Sequence, residues 1–444
     1  MSSADSADEA STPRRVAIAC QGGGSHTAFT AGVLGRLLLA EETARYPVTG
    51  LSGTSGGAVC ALLAWYGLLE NDPDGPADRA GRARAARLLE QFWTDNSAAG
   101  PWERLANAGL MWASTLQDHG LLPVISPYDT PVSVTALEEF RGLLQRQVDF
   151  ERIQVDTAGR HPVLLIGAVD VLSGEFRTFQ SRRDRITADA VLASAAIPNL
   201  FRAVQVDGRT YWDGLFSQNP PVRELVDTAP DELWVIQINP TQQDNEPTSV
   251  IDIADRRNEL AGNLSLHQEV RFIEKIDQML ADGRLIPGDR YKQIVVRIIE
   301  LPRTPLTERF GSASKLNRDP EFLRGLMALG RRQADEFLAA LAFERAWAGG
   351  DPDTMLASFT DDAEVVSTAP FPLRGAFRGP EQVRRFVEEH LCGSLQVDST
   401  HKQVARDRVT WRVRARDGDS GAALEGRAEA RFRDGKVAAL WLGG

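Results

Sequence analysis

Residues 15–57, RVAIACQGGGSHTAFTAGVLGRLLLAEETARYPVTGLSGTSGG, decide the fold class of this chain. A short apolar run ends in three glycines, and Phe29, Val33 and Leu37 then recur at the spacing of one helix face. A second apolar run leads into Gly-Thr-Ser-Gly-Gly, and a strongly apolar stretch follows as far as Leu69. The order strand, glycine loop, helix, strand, sharp turn and helix is typical of a parallel α/β sheet.

Later apolar runs extend this pattern. Near-continuous apolar runs, which predict strands buried on both faces, lie at residues 163–169, 233–238 and 293–299. A long helical pattern lies between two of them, around residues 253–280. We therefore expect an α/β fold in which a parallel sheet has helices on both faces.

The pattern changes after a helix predicted from about Asp319 to Trp347. Residues 352–359 and 380–390 predict two more helices, and from Leu395 onward apolar and polar residues alternate as in strands. Asp434-Gly435 fits a two-residue hairpin turn. This C-terminal region predicts an α+β module with its helices first and an antiparallel sheet after them.

The chain is too long for one compact core, so several segments are expected. Residues 1–12 are small and acidic without periodicity, which predicts a disordered tail. Residues 13–337 form the predicted α/β domain, and residues 338–444 the smaller α+β domain. One helix can serve both domains near this boundary.

Composition excludes some functions. The net charge of −11 argues against nucleic acid or anionic lipid held by broad electrostatic attraction. The three cysteines show no CxxC spacing, which indicates reduced thiols, and two of them lie in apolar stretches that predict small core positions. The first residues do not resemble a secretory signal, and the apolar run 58–69 is too short to cross a bilayer and predicts a buried helix. We expect a cytoplasmic protein.

The stretch Gly53-Thr54-Ser55-Gly56-Gly57 has the G-x-S-x-G form of a nucleophile elbow. Such a serine needs a strained turn between strand and helix, with small neighbours such as Gly53 and Gly57, so that its hydroxyl stands clear. The positive end of the following helix favours an alkoxide-like oxygen. Ser55 is therefore the candidate nucleophile, although an ordinary tight turn can have the same sequence.

A glycine loop, Gly22-Gly23-Gly24-Ser25, follows the first predicted strand and opens the first helix. Backbone N–H groups at such a place can bind the oxyanion that develops during acyl transfer. Phosphate or dinucleotide binding is the competing interpretation, but Thr27 stands where a dinucleotide fingerprint needs glycine. A Walker Gly-Lys-Ser/Thr ending is also absent.

The base is harder to find from the sequence. Asp213-Gly214 lies at the end of a short predicted strand, and Asp-Gly by itself is usually a turn. None of the six histidines has the sequence neighbours of a triad histidine, although proximity in space cannot be read from sequence. Asp213 is therefore the candidate base for Ser55.

These three motifs together resemble the patatin-like phospholipase family. The resemblance covers roughly residues 13–335 and implies a Ser55–Asp213 dyad, an oxyanion hole at Gly22, Gly23, Gly24 and Ser25, and Gly214 as part of the dyad motif. Three further similar stretches support it: AGVL at residues 31–34, GTSGGA around Ser55, and ASAAIPNLF at residues 193–201.

Three positions depart from the family pattern. His26 stands where the family often has Arg or Lys, Thr27 replaces a common glycine, and Leu215 replaces Gly or Ala after Asp213-Gly214. The backbone donors survive these changes, so we expect the oxyanion hole to be retained and His26 to have a structural role.

The C-terminal segment resembles the SnoaL-like branch of the nuclear transport factor superfamily, whose modules form a curled sheet over helices. FERAWAGGDPDTMLASFTDDAEV, FRGPEQVRRF and ARFRDGKVAAL carry this resemblance. We expect its large aromatic residues to form its core, and His390, Asp398 and His401 to lie on a solvated surface rather than line a pocket. The aromatic residues concerned are Trp347, Phe359, Trp411 and Phe432.

The expected function is acyl-ester hydrolysis of a lipid or another ester, with no cofactor and no metal. The expected partners are that substrate, a transient contact with a membrane surface, and a second copy bound through the C-terminal domain; nucleic acid is not expected. Two alternatives stay open: a histidine-dependent α/β-hydrolase, and a catalytically weak or inactive protein that uses its C-terminal domain for lipid binding or assembly.

Overall fold

The structure of the chain is a computed structural model. It describes residues 13–69, 79–118, 121–123, 125–130, 132–198, 200–243, 246–288, 291–307, 310, 313–371, 373–405, 408–417 and 423–444. The predicted disordered tail, residues 1–12, lies outside the described residues. The chain divides into a first unit, Arg15–Ile294 with Leu301–Arg331, and a second unit that includes Val295–Glu300 and Arg332–Gly444.

The first unit alternates strands and helices. Its strands are β1 (Val16–Cys20), β2 (Val48–Thr54), β3 (Val163–Asp170), β4 (Phe176–Gln180), β5 (Val204–Val206), β6 (Arg209–Asp213) and β7 (Glu232–Gln237). Its helices are α1 (Ala28–Leu39), α2 (Gly56–Leu69), α3 (Arg79–Asp95), α4 (Pro101–Asp118), α5 (Val132–Gln147), α6 (Ala188–Ser194), α7 (Arg223–Val226) and α8 (Val250–Ala281). Short 3-10 helices lie at Gly24–Thr27, Glu41–Thr43, Gly214–Phe216 and Ala313–Leu316.

The sheet of the first unit has the order β7-β1-β2-β3-β6-β5, with β4 also paired to β3. The pairs β7–β1, β1–β2 and β2–β3 are parallel, whereas β6 and β4 run antiparallel to β3. Helices flank this mostly parallel sheet, which confirms the predicted α/β fold class. Because β3 lies between β2 and β6, it brings the ends of two distant strands to one place.

Helix α2 shows how composition determines position in this unit. Every residue from Gly57 to Leu68 is buried, as the continuous apolar run predicts. Helix α1 is also buried along most of its length, including Phe29, whereas α3 packs against the core with one face, which carries Phe92. Among the residues that the structure describes, no helix is both long enough and apolar enough to cross a bilayer.

The second unit contains the C-terminal strands and helices. Helix α9 (Pro320–Gly349) begins in the first unit, and its residues from Arg332 onward group with the second. The other helices are α10 (Pro352–Ala357), α11 (Gly379–Phe386) and a π-helix at Val387–Ser394. The strands are β8 (Val295–Glu300), β9 (Phe359–Ser367), β10 (Gly375–Arg378), β11 (Leu395–Ala405), β12 (Arg408–Asp417), β13 (Ala423–Arg433) and β14 (Lys436–Gly443).

These strands have the order β10-β9-β14-β13-β12-β11-β8. The prediction of helices first and an antiparallel sheet after them is wrong in the order, because β9 and β10 precede α11. The pairs β9–β10, β11–β12, β12–β13 and β13–β14 are antiparallel, but β9 pairs in parallel with β14. Two consecutive exposed residues, Asp361 and Asp362, interrupt the alternation of β9 and hide it in the sequence. Strand β8 also pairs in parallel with β11.

Several predicted local features are confirmed. Asp434 and Gly435 join β13 to β14 with φ of 53° and 75°, the positive values of a type I′ hairpin turn. Trp347, Phe359 and Phe432 are buried, whereas the side chain of Trp411 lies outside those described. In the first unit, Cys20 and Cys60 are buried free thiols, and burial raises the pKa of Cys60 to about 12.

Candidate active site

Ser55 lies in the turn between β2 and α2. Its φ of 57° is in the left-handed region, which costs energy for a residue with a side chain. Gly57 allows the turn to close, since a Cβ there would lie 2.3 Å from the carbonyl oxygen of Cys20. The predicted elbow is therefore present as a strained turn, with Gly53 in β2 and Gly57 in the first turn of α2.

Ser194, at the end of α6, holds the elbow in place. Its hydroxyl accepts a hydrogen bond from the Ser55 N–H at 3.0 Å and donates one to the carbonyl oxygen of Gly167 in β3 at 2.6 Å. Both hydrogen bonds are buried, so they satisfy a backbone N–H and a backbone carbonyl that water cannot reach. Ser194 therefore ties the strained turn at Ser55 to β3, inside the sheet.

The sheet register brings Asp213 next to Ser55. In β3, Gly167 pairs with Thr54 of β2, and the adjacent Ala168 pairs with Asp213 of β6. The two candidate residues thus flank a single strand, roughly 10 Å apart at their backbones. Gly214 makes this junction close, since a Cβ there would lie 2.5 Å from the carbonyl oxygen of Gly167.

Asp213 is buried, with 1% of the residue exposed. Its Oδ1 accepts a hydrogen bond of 2.8 Å from the Leu215 N–H, and its buried Oδ2 has no hydrogen-bond partner among the described residues. Burial raises the pKa of Asp213 to about 7, while the Leu215 N–H and the nearby Ser55 hydroxyl lower it. The Ser55 hydroxyl thus lies close enough to influence the carboxyl without completing a hydrogen bond of ordinary geometry to Oδ2.

The glycine loop contains donors of two kinds. The N–H of Gly22 donates to Oδ1 of Asn219 at 2.7 Å and is therefore already used. The N–H groups of Gly23, Gly24 and Ser25 make no hydrogen bond within the described part of the chain. They lie at the start of a 3-10 helix, where N–H groups have no acceptor in the helix itself.

These groups enclose a small cavity of about 40 Å³, the nucleophile pocket. Its described lining residues are Gly22, Gly23, Gly24, Ser55, Ile197, Asp213, Leu215, Asn219, Asn239, Asn258, Glu259 and Lys315. The structure therefore brings the predicted serine, aspartate and glycines to one pocket. A group of three or more His, Cys, Asp or Glu side chains that could hold a metal ion does not occur among the described residues.

His26 has a position that explains its departure from the family pattern. Its ring stacks on Phe310 at 4.0 Å, and its Nε2 lies 2.8 Å from the hydroxyl of Ser314. Burial, and then the charge of Lys315, lower the pKa of His26 well below its ordinary value, so the ring is neutral at physiological pH. Stacking and hydrogen bonding thus fix His26 as part of the loop's packing.

The remaining histidines bear on the triad alternative. The nucleophile pocket has no histidine among its described lining residues. The side chains of His119 and His401 are not among those described. His390 is partly buried and meets Phe386 edge-on at 5.6 Å, in the second unit.

Sequence reasoning missed three polar residues of this site: Ser194, Asn219 and Asn239. Ser194 lies within ASAAIPNLF and Asn219 lies shortly after Asp213-Gly214, but no local pattern in either stretch marks these two residues. Asn239 follows β7, whose carboxyl end lies beside that of β1, the strand that leads into the glycine loop. Polar residues directly after buried parallel strands are the signal that could have found Asn239.

Two family models match segments of the chain. A family model of patatin-like phospholipases matches residues 18–226, and a model of SnoaL-like domains matches residues 340–440. A search of curated proteins found no match.

Three solved structures that the chain resembles are small proteins. An NTF2-like protein of unknown function from Mesorhizobium loti is 19% identical over 24% of this chain and 89% of that one, with a TM-score of 0.23. An NTF2-like protein from Burkholderia xenovorans LB400 is 17% identical over 24% and 87% of the two chains, with a TM-score of 0.22. A putative polyketide cyclase from Sinorhizobium meliloti is 17% identical over 24% and 93%, with a TM-score of 0.21.

The family matches fall on the segments in which the sequence motifs and the two folds had been recognised. The chain therefore carries a patatin-like phospholipase domain at residues 18–226 and a SnoaL-like domain at residues 340–440.

Proposed function

We propose that this protein hydrolyses acyl esters of lipids, with Ser55 as the nucleophile and Asp213 as its base. The observation that carries the proposal is a fully buried carboxyl with a pKa near 7 beside a serine in a strained elbow. A general base works best when its pKa lies near the working pH. Burial gives Asp213 this property without a histidine.

In the first step, the Ser55 Oγ attacks the ester carbonyl carbon and its proton passes to Asp213. Oδ2 of Asp213, which has no hydrogen-bond partner among the described residues, is the oxygen free to accept it. The C–O bond to the alcohol then breaks, and protonated Asp213 returns the proton to the leaving alkoxide. An acyl-enzyme on Ser55 results.

The N–H groups of Gly23, Gly24 and Ser25 are the proposed oxyanion donors. Each donor of this kind contributes about 3 kcal/mol to transition-state stabilisation. Gly22 has a different role, because its N–H is bound to Asn219 and so fixes the loop. In the second step a water attacks the acyl-enzyme, gives its proton to Asp213, and the proton returns to Ser55 as the acid leaves.

Helix α4 supports a lipid surface as the source of substrate. Trp102 and Trp112 are 82% and 66% exposed, and with Leu105 they lie along one face of the helix. The buried Asn107 of the same helix donates to Asn317 at 3.0 Å, beside the 3-10 helix that carries Lys315 of the nucleophile pocket. Exposed tryptophans favour the boundary between water and lipid, so we propose that this face rests on a membrane surface near the pocket.

Labelling and turnover test the catalytic proposal directly. A fluorophosphonate probe should label the wild type at Ser55, and 4-nitrophenyl butyrate should be hydrolysed. Ser55→Ala and Asp213→Asn should each lose at least a hundredfold in kcat, with the fold verified by circular dichroism. Absence of both labelling and turnover in the folded wild type would instead favour the alternative of a binding or assembly protein.

Sedimentation with phosphatidylcholine vesicles tests the membrane contact. The double variant Trp102→Ser/Trp112→Ser should bind vesicles at least tenfold less than wild type, whereas Leu172→Ser, which removes an exposed leucine elsewhere, should not. Unchanged vesicle binding would exclude this contact. Loss of a wild-type dimer in the double variant would show that a second copy covers this face instead.

A further inference from the structure

Beside the nucleophile pocket lies a larger cavity of about 210 Å³, which we call the side cavity. It shares three wall residues with the nucleophile pocket: Asn239, Glu259 and Lys315. An ester whose carbonyl is at Ser55 can therefore extend one of its two ends into this space. The acyl transfer mechanism does not otherwise use the side cavity.

Two amide nitrogens of the nucleophile pocket have no acceptor among the described residues, and one of them belongs to Asn239, which also lines the side cavity. The side chains of Asn219 and Asn239 are 0% and 4% exposed, and the Nδ2 atom of each is buried without an acceptor among the described residues. A methyl group placed on Gly262 would lie 2.9 Å from one nitrogen and 3.2 Å from the other, so they are within about 6 Å of each other. An unpaired buried donor is unfavourable in a folded protein. A bound molecule with acceptor oxygens would satisfy both.

The orientation of Asn219 is determined by its contacts, because its Oδ1 accepts the Gly22 N–H. Its Nδ2 is therefore the side-chain atom without a hydrogen-bond partner among the described residues. Asn239 is held by its backbone, whose N–H donates to the side-chain oxygen of Gln21 at 2.8 Å. The Asn219 amide and the backbone that carries Asn239 are thus fixed in place before any ligand arrives, which lowers the entropic cost of binding.

The charges around the side cavity are balanced. Its charged lining residues among those described are two acids, Asp255 and Glu259, and two bases, Arg303 and Lys315. The Lys315 Nζ lies 2.6 Å from Asp255 and 4.0 Å from Glu259. Because these charges balance, the wall does not favour an anion. Its other residues are polar, such as Gln242, Gln243 and Thr307, or apolar, such as Ile238, Leu301 and Phe310, and such a wall suits an uncharged group that has both oxygen and carbon atoms.

We propose that the side cavity binds the alcohol portion of the ester, that this portion is an uncharged polyol, and that Asn239 determines this specificity. The proposal deepens the proposed function and rests on it for the position of the ester carbonyl. Asn219 contributes the second donor, next to the oxyanion loop. The acyl chain then extends away from the side cavity.

Two substrates with the same acyl group and different alcohols test the specificity. The wild type should hydrolyse glycerol monobutyrate with a kcat/KM at least tenfold above that for butyl butyrate. Asn239→Leu should reduce this ratio roughly tenfold, as for the loss of one hydrogen bond. Asn96→Leu is the matched control, because Asn96 lines neither cavity, and it should keep the wild-type ratio. Equal ratios in wild type and Asn239→Leu would overturn the proposal.

A binding measurement separates this inference from the catalytic proposal. Binding of glycerol monobutyrate is measured by saturation-transfer NMR. Ser55→Ala should bind this ester, and Ser55→Ala/Asn239→Leu should bind it roughly tenfold more weakly. Binding without turnover in the wild type would refute the hydrolase and leave the polyol site. Turnover of butyl butyrate with no preference for the glycerol ester would refute only the polyol site. If Asn239→Leu does not fold, Asn239→Ser, which is smaller and keeps a donor, should show a partial loss of the ratio.

Discussion

Replacing Asp213 by Asn should make the folded protein more stable at alkaline pH while removing its activity. Burial raises the pKa of Asp213 from an ordinary 3.8 to about 7. Between these two values the folded protein binds a proton on Asp213 and the unfolded chain does not. The free energy of unfolding of the wild type therefore falls as the pH rises through this window and levels off above about pH 7.

The size of this effect follows from the shift. One pKa unit corresponds to about 1.4 kcal/mol. Between pH 5 and pH 8.5 the wild type crosses roughly two units of the window, so the contribution of this carboxyl falls by about 3 kcal/mol. An Asn side chain has nearly the same shape and never ionises. The stability of Asp213→Asn relative to wild type should therefore rise by about 3 kcal/mol over the same range.

Urea unfolding followed by tryptophan fluorescence at pH 5 and pH 8.5 measures this difference. Every other titrating group is common to the two proteins and cancels in the comparison. Asp129→Asn, at an exposed position in the same unit, is the control and should show no such gain. If the gap between Asp213→Asn and wild type is the same at both pH values, the carboxyl is not held neutral by burial, and the argument for Asp213 as a base tuned by burial is wrong.

Three further predictions follow from the site. The kcat/KM for an ester should fall about tenfold per pH unit below pH 7, because protonated Asp213 is not a base. The pKa read from this acidic side of the pH–rate profile should not change when His26, His161, His267 or His390 is replaced singly by Gln, and a change would contradict the prediction. Ser194→Ala should lower the unfolding free energy by about 1–3 kcal/mol and reduce kcat, because the buried N–H of Ser55 loses its acceptor. If the urea midpoint and kcat of Ser194→Ala equal those of the wild type, Ser194 does not have this role. Gly57→Ala should lower the melting temperature and the soluble yield, because the new Cβ would lie 2.3 Å from the Cys20 carbonyl oxygen, whereas Gly109→Ala meets nothing within 4 Å and should leave both unchanged or raise them.

Local patterns were sufficient to predict the elements that carry Ser55 and the glycine loop. Continuous apolar runs predicted β1, β2 and the buried helix α2, and the glycines between them marked the turns. These features depend on neighbouring residues, so a single sequence contains them. Asp213 was predicted because no histidine had the sequence neighbours of a base and because Asp-Gly accompanies the other two motifs in the family that the chain resembles.

The residues that sequence reasoning missed act across long separations in the chain. Ser194 meets Ser55 after 139 residues, and Asn219 meets Gly22 after 197. Neither contact has a periodicity or a spacing that the sequence could display. The order of β9 in the second unit was missed for a different reason, because two adjacent aspartates break its alternation.

Helix α2 also has a consequence for how the protein completes a turnover. It is enclosed by the core along almost its whole length, so the wall that carries Ser55 belongs to the most stable part of the unit. The opposite wall comes from the partly exposed α8 and the 3-10 helix Ala313–Leu316, which supply Asn258 and Lys315. We therefore expect any opening that releases the product to occur at this more exposed wall rather than at α2, and such an opening can limit kcat.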